Sequence, residues 1–111
     1  MKFETPKTQE EIIVKATSLH FGLDVEHLTQ GKETNKNAVY QRMVCIYLIK
    51  ENTLISHKNA GVIFGMPEST AKNGYYRVRD LLTVDRRTMN DIAEIKLIID
   101  RFTAQKKKLY A

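Results

Sequence analysis

At 111 residues, 42% apolar and 28% charged, the chain is long enough to close one hydrophobic core and too short for two. No apolar run approaches the roughly 20 residues of a membrane-spanning helix, and a single cysteine, Cys45, rules out an internal disulfide framework. The net charge of +5 is unevenly spread: residues 1–31 hold three Lys/Arg against five Asp/Glu, a net of −2, and residues 32–111 hold fifteen against eight, a net of +7. A basic stretch of that size suits a polyanion partner. Residues 1–8 are polar and lack the apolar segment of a secretory signal. A soluble, cytoplasmic protein with no membrane partner is expected.

The elements read as all helical, about six of them. Thr8-Gln9-Glu10-Glu11 forms a capping box, after which Ile12, Ile13, Ala16, Leu19 and His20 recur at helical spacing as far as Gly22. Asp24 can cap a short second helix carrying Val25 and Leu28, and residues 31–37 form a polar loop. The third helix, about residues 37–52, is apolar nearly all round from Val44 to Ile49, as a central helix packed from several sides would be. Ser56 caps a fourth helix that stops at Phe64-Gly65, and Ser69 or Thr70 is expected to cap a fifth that runs to about Leu82. A sixth follows Asp85 with Ile92, Ile95, Ile98, Ile99 and Phe102 and finishes in Lys106-Lys107-Lys108. The domain plan is a flexible tail over 1–8, one helical domain over 9–105 and a basic tail over 106–111.

The fourth and fifth helices carry the functional signal. A short helix ending in Gly65, a stiff turn, and a helix opening with two hydroxyl residues is the plan of a helix-turn-helix. At about 100° per residue, Ala71, Tyr75, Val78 and Leu82 share the inner face, with Gly74 and Leu81 beside it. Ser69, Lys72, Asn73 and Tyr76 face outward, flanked by Thr70, Arg77 and Arg79. The first two turns of such a helix reach base edges, which makes Ser69, Thr70, Lys72 and Asn73 the expected readers and leaves Tyr76 and Arg77 to phosphate. Asn pairs in bidentate fashion with adenine, Lys donates to guanine, and Ser or Thr hydroxyls serve either edge. Glu68, at the helix tip, runs against strongly negative DNA unless it accepts from a cytosine amine. Favourable interaction with the helix dipole is its simpler explanation. Gly74, costly inside a helix by about 1 kcal/mol, points to a close helix crossing.

These residues resemble the C-terminal DNA-binding domain of the bacterial replication initiator DnaA, a Trp-repressor-like helical domain, from about Ile12 to Phe102. The similarity lies in Phe21-Gly22-Leu23-Asp24-Val25-Glu26-His27-Leu28, in Gln41-Arg42 through Tyr47-Leu48-Ile49-Lys50-Glu51, and in Ser56, Gly61, Phe64 and Gly65. Ser69-Thr70 stands where the family's Asp-His-Ser/Thr-Thr signature opens its recognition helix. The resemblance implies phosphate contacts from Arg42 and Lys50. The family's arginine-rich minor-groove loop is reduced to Lys32 and Lys36, and Lys58 joins them as a backbone contact. Pro67-Glu68 stands where the family has Arg-Asp-His, with Asn73 at the signature's second His and Gly74 at its Ala.

Other chemistry is not supported. Gly31-Lys32 lacks the spacing of a Walker A motif, since Glu26 and Glu33 occupy the required Gly and Ser/Thr places. No nucleotide, cofactor or metal site is expected. His20, His27 and His57 read as surface or capping residues, Cys45 as core, and Asp91, Glu94 and Asp100 as the wet side of the sixth helix. The resulting expectation is a non-enzymatic, double-stranded DNA-binding protein, nucleoid-associated, and acting in replication or transcription control. The alternative is a protein-interaction module on the same scaffold with an eroded DNA surface; a protein partner or homodimer is compatible with both.

Overall fold

Six helices form where the periodicity places them: α1 (Gln9–Phe21), α2 (Val25–Gln30), α3 (Lys36–Asn52), α4 (His57–Phe64), α5 (Glu68–Leu81) and α6 (Arg86–Tyr110). The computed structural model describes residues 8–32 and 34–110, with side chains as far as 105. The expected N-terminal tail before Thr8 and the side chains of Lys106-Lys107-Lys108 lie outside the described residues. There is no strand among the described residues, and the fold is all-α.

Local chemistry sets most helix ends. The Thr8 hydroxyl accepts from the Glu11 amide at 3.1 Å, and Gly22 closes α1 in the left-handed conformation at φ 69°. Asn35 accepts from the Ala38 amide at 2.9 Å, which starts α3 one residue ahead of expectation. Ser56 caps α4 through the Asn59 amide at 3.1 Å. Asp24 holds the N-cap position of α2 without a side-chain cap bond.

Two expectations are corrected. Neither Ser69 nor Thr70 caps α5: Pro67 occupies that position at φ −63°, ψ 156°, and its carbonyl accepts from the Ala71 amide at 3.1 Å. The proline ring already imposes the backbone angle that a cap needs, so both hydroxyls fall inside the first helical turn. Asp91 is not on the wet side of α6. One of its oxygens meets His20 Nε2 at 2.8 Å, and the other accepts from the Tyr40 hydroxyl at 2.6 Å. Burial, then the Asp91 bond, pushes the Tyr40 hydroxyl up to about 12, so it stays a donor. His20 on α1, Tyr40 on α3 and Asp91 on α6 thus join three helices with one carboxylate. Asp85 caps α6, taking the Thr88 amide at 3.1 Å and the Thr88 hydroxyl at 2.6 Å.

The third helix is the centre. Val44, Cys45, Ile46, Tyr47, Leu48 and Ile49 are all buried, and α1, α2, α4, α5 and α6 each pack on this helix. Burial pushes the Cys45 thiol up to about 12, which makes it a small core residue and not a nucleophile.

The α4–α5 junction is tight. Gly65 is left-handed at φ 64°, and the Met66 amide donates back to the Gly61 carbonyl at 2.9 Å. A Cβ on Gly61 would stand 2.6 Å from the Met66 carbonyl oxygen. At Gly74 a Cβ would meet Met43 Cγ at 3.0 Å, which locates the expected close crossing against α3. The inner stripe of α5 therefore packs on α3 as well as on α4. Gly61→Ala should lower the unfolding free energy by about 1–3 kcal/mol through overpacking against fixed backbone. Gly74→Ala should change it by less than about 1 kcal/mol, because the gain in helix propensity offsets the displacement of a flexible Met43. Urea unfolding midpoints of the two variants distinguish a rigid contact from a yielding one.

Candidate nucleic-acid interface

With Ala71, Gly74 and Val78 buried and Tyr75 and Leu82 packed against the core, the other side of α5 has to face water. Ser69, Thr70, Lys72, Asn73, Tyr76 and Arg77 are all exposed. Ser69, Thr70 and Asn73 make no side-chain hydrogen bond among the described residues. Their donors and acceptors face solvent.

Five of the expected site residues come together. Lys32 from the α2–α3 loop, Arg42 from α3, and Thr70, Asn73 and Arg77 from α5 line one groove of about 680 Å³. Its floor is apolar, formed by Val39 and Met43 of α3, Phe64 of α4 and Met66 of the turn, and Thr29 to Gly31 close one end. Cations on the rim of an apolar floor, beside the polar first turns of a helix, suit a strand whose phosphates are charged and whose sugars are not. Of the floor residues only Phe64 was named in the sequence, as the end of a helix, because the side chains that meet there come from separate segments and no periodicity connects them.

The remaining candidates flank the helix or lie away from it. Lys50, at the last turn of α3, donates from Nζ to the Ile55 carbonyl at 2.6 Å, closing the turn that leads into α4. Lys72 and Lys50 are close enough to His57 to disfavour its protonation. Lys36 and Lys58 are exposed at the starts of α3 and α4, outside the lining of the groove.

Tyr76 belongs to an aromatic series absent from the sequence reading. Tyr47 of α3 stacks on Tyr75 at 5.4 Å between ring centroids. Tyr75 meets His57 at 5.7 Å and Tyr76 edge-on at 5.1 Å, and the Arg79 guanidinium lies 4.6 Å over the Tyr76 ring. Both oxygens of Glu51 accept, one from the Tyr47 hydroxyl at 3.1 Å and one from Tyr75 at 3.2 Å. His57, expected as a surface or capping residue, is half-buried at the start of α4 with its ring 5.7 Å from Tyr75 and 6.1 Å from Tyr76. The adjacency of Tyr75 and Tyr76, with the first on the inner stripe, was the available signal: consecutive helical residues splay by about 100°, so one ring had to bridge core and surface.

Burial, then Lys50 and Lys72, holds the His57 imidazole below its ordinary 6.5, with Glu68 opposing. Its Nδ1 is buried and has no hydrogen-bond partner among the described residues. A group whose protonation is disfavoured in the fold contributes stability above its unfolded pKa and loses it as pH falls. Wild-type stability should therefore decline as pH drops from about 7.5 to about 5.5. His57→Gln should show a smaller decline over the same range, measured by urea unfolding at each pH.

Among the described residues no cluster of His, Cys, Asp and Glu could hold a metal ion, and no helix is long and apolar enough to cross a membrane.

No family model matches the chain. Its sequence is 33% identical over 85 residues to the chromosomal replication initiator protein DnaA of Herpetosiphon aurantiacus, a match covering 76% of this chain and 18% of that protein. It is 33% identical over 89 residues to DnaA of Tropheryma whipplei, covering 80% and 18%. DnaA of Chloroflexus aurantiacus is 26% identical over 87 residues, covering 78% and 18%. The chain thus spans about a fifth of the length of the curated relatives it matches. Over most of its own length it is homologous to a segment of the bacterial DnaA initiators.

Proposed function

We propose that the protein binds double-stranded DNA, with α5 entering the major groove as the second helix of a helix-turn-helix and one strand lying in the groove beside it. The observation that carries this reading is the convergence of Lys32, Arg42 and Arg77 with Thr70 and Asn73 on one groove. That groove adjoins a helix face whose polar groups are exposed. Homology to DnaA supports it, because those relatives are named as chromosomal replication initiators. Replication control is the process the proposal points to first.

In this reading Lys32, Arg42 and Arg77 hold phosphates along the groove, and Lys36 extends the contact at the start of α3. Lys58, Lys72 and Tyr76 serve the opposite flank. Lys50, already bound to the Ile55 carbonyl, adds long-range attraction more than a new contact. Ser69, Thr70 and Asn73 address the bases. One such motif contacts little DNA, so a second copy or a DNA-bound partner completes a tight site.

A contact with about five phosphates predicts a slope of log K against log salt of about −4.5, a loss of roughly 500-fold between about 50 and 200 mM. Asn73→Ala should cost about 1–3 kcal/mol on a preferred duplex and little on unrelated DNA. Fluorescence anisotropy over a salt series measures both. The second reading, docking of a protein, draws on Leu54 and Val62, which are apolar and 104% and 70% exposed on the α4 side. Absence of duplex binding even at low salt, with recovery of a stable protein complex, would replace the first reading by the second.

A further inference from the structure

The sixth helix packs with one side and leaves the other to water. Its Ile92, Ile95 and Ile99 are buried, whereas Ala93, Glu94, Lys96, Leu97, Asp100 and Arg101 are exposed. Leu97 stands near the middle of that outer face, 56% exposed. At about 100° per residue, Glu94 and Arg101 fall on one flank of Leu97, and Lys96 and Asp100 fall on the other. None of these four charged groups makes a hydrogen bond or ion pair among the described residues. Lys96 and Asp100 are one turn apart, but a lysine N-terminal to its acidic partner is the weaker order within a helix. An apolar side chain flanked on each side by one unpaired cation and one unpaired anion is left facing outward.

That pattern complements itself. When two like helices lie antiparallel about a twofold axis, each flank of one meets the same flank of the other. With Leu97 beside the axis, Glu94 falls opposite Arg101 of the second copy, and Lys96 falls opposite Asp100. Symmetry repeats each pair, so four ion pairs enclose two leucines. Ala93 and Ala104 are too short to hold the helices apart, and opposed helix dipoles favour the antiparallel arrangement. We propose that this face of α6 is the contact surface for a second copy of the chain, packed antiparallel about Leu97. No residue of α6 lines the cationic groove, so pairing leaves both grooves open and needs no DNA. A contact of about three helical turns buries less than the roughly 800 Å² per partner of a stable interface. Association is therefore weak and concentration-dependent.

Sedimentation equilibrium of the purified chain over a wide concentration range tests this without DNA, with the melting temperature of each variant as a control. The wild type should show a monomer–dimer equilibrium. Leu97→Asp, which sets two carboxylates at the axis, should leave monomer alone. Lys96→Glu and Asp100→Lys should each weaken the dimer about tenfold, because symmetry counts each reversal twice. Combining the two reversals should restore it. In a parallel pair Lys96 and Asp100 would face Glu94 and Arg101 instead, so a double variant weaker than either single one overturns the proposal. A wild type that stays monomeric at every concentration overturns it as well, as does a dimer indifferent to Leu97→Asp. None of these results bears on duplex binding, which anisotropy measures separately.

Discussion

Between Gly61 and Met66 two stretches of backbone approach until a methyl group no longer fits: the missing Cβ would lie 2.6 Å from a carbonyl oxygen. The contact is made from main-chain atoms, which have no rotamers to yield, so it behaves as a fixed hinge between α4 and α5. Gly65 in the left-handed conformation reverses the chain with the least steric cost, and Pro67 restarts it. The direction of α5 is set there. Because that direction lays Ala71, Gly74 and Val78 on α3 and α4, it also decides which residues of α5 are left outside.

Burial alone would hold α5 weakly. Of its fourteen residues only Ala71, Gly74 and Val78 are buried, and small side chains bring little apolar area. By contrast α3 buries Ile46, Leu48 and Ile49 completely, each contributing about 1.5–3 kcal/mol. What α5 lacks in area it recovers in close approach to Met43 and in the rings of Tyr47, Tyr75, His57 and Tyr76. Aromatic contacts of this kind add about 0.5–1.5 kcal/mol per pair beyond area. The tyrosine protons stay in place: burial and Glu51 push the Tyr47 hydroxyl up to about 12, and burial, then Glu51, raises that of Tyr75. Glu51 consequently remains an acceptor for two donors, and α3 and α5 are tied by hydrogen bonds as well as by rings.

Helices were legible in the sequence wherever a local rule governs them. The capping box at Thr8, the glycine stops at Gly22 and Gly65, and the run from Val44 to Ile49 each state their structure within a few residues. The outward face of α5 was legible for the same reason, as 3.6-residue periodicity needs no tertiary knowledge. Pro67 took the cap from Ser69 and Thr70 because ring geometry competes with side-chain hydrogen bonding, and sequence pattern does not rank the two. Asp91 and His57 were misjudged for a different cause. Their partners, His20, Tyr40, Tyr75 and Tyr76, lie on other helices, and a charged or aromatic residue on a polar stripe looks solvated until those helices are placed. The groove was invisible for that reason too, although Lys32, Arg42, Thr70, Asn73 and Arg77 on its rim had each been singled out.

The composition of the first two turns of α5 remains unaccounted for by folding. Asn73 and Gly74, inside the helix, are poor helix formers, together about 1.5 kcal/mol less favourable than two alanines. Gly74 has a structural reason in its approach to Met43. Ser69, Thr70 and Asn73 are exposed and contribute no side-chain hydrogen bond to the fold; at Asn73, inside the helix, alanine would form the helix more readily. The neighbours that hold α5 together supply the stability that its own sequence gives up. Short hydroxyl and carboxamide groups on a rigid helix tip, next to a cation-rimmed groove, fit the hydrogen-bonding edges of stacked bases better than they fit an apolar partner.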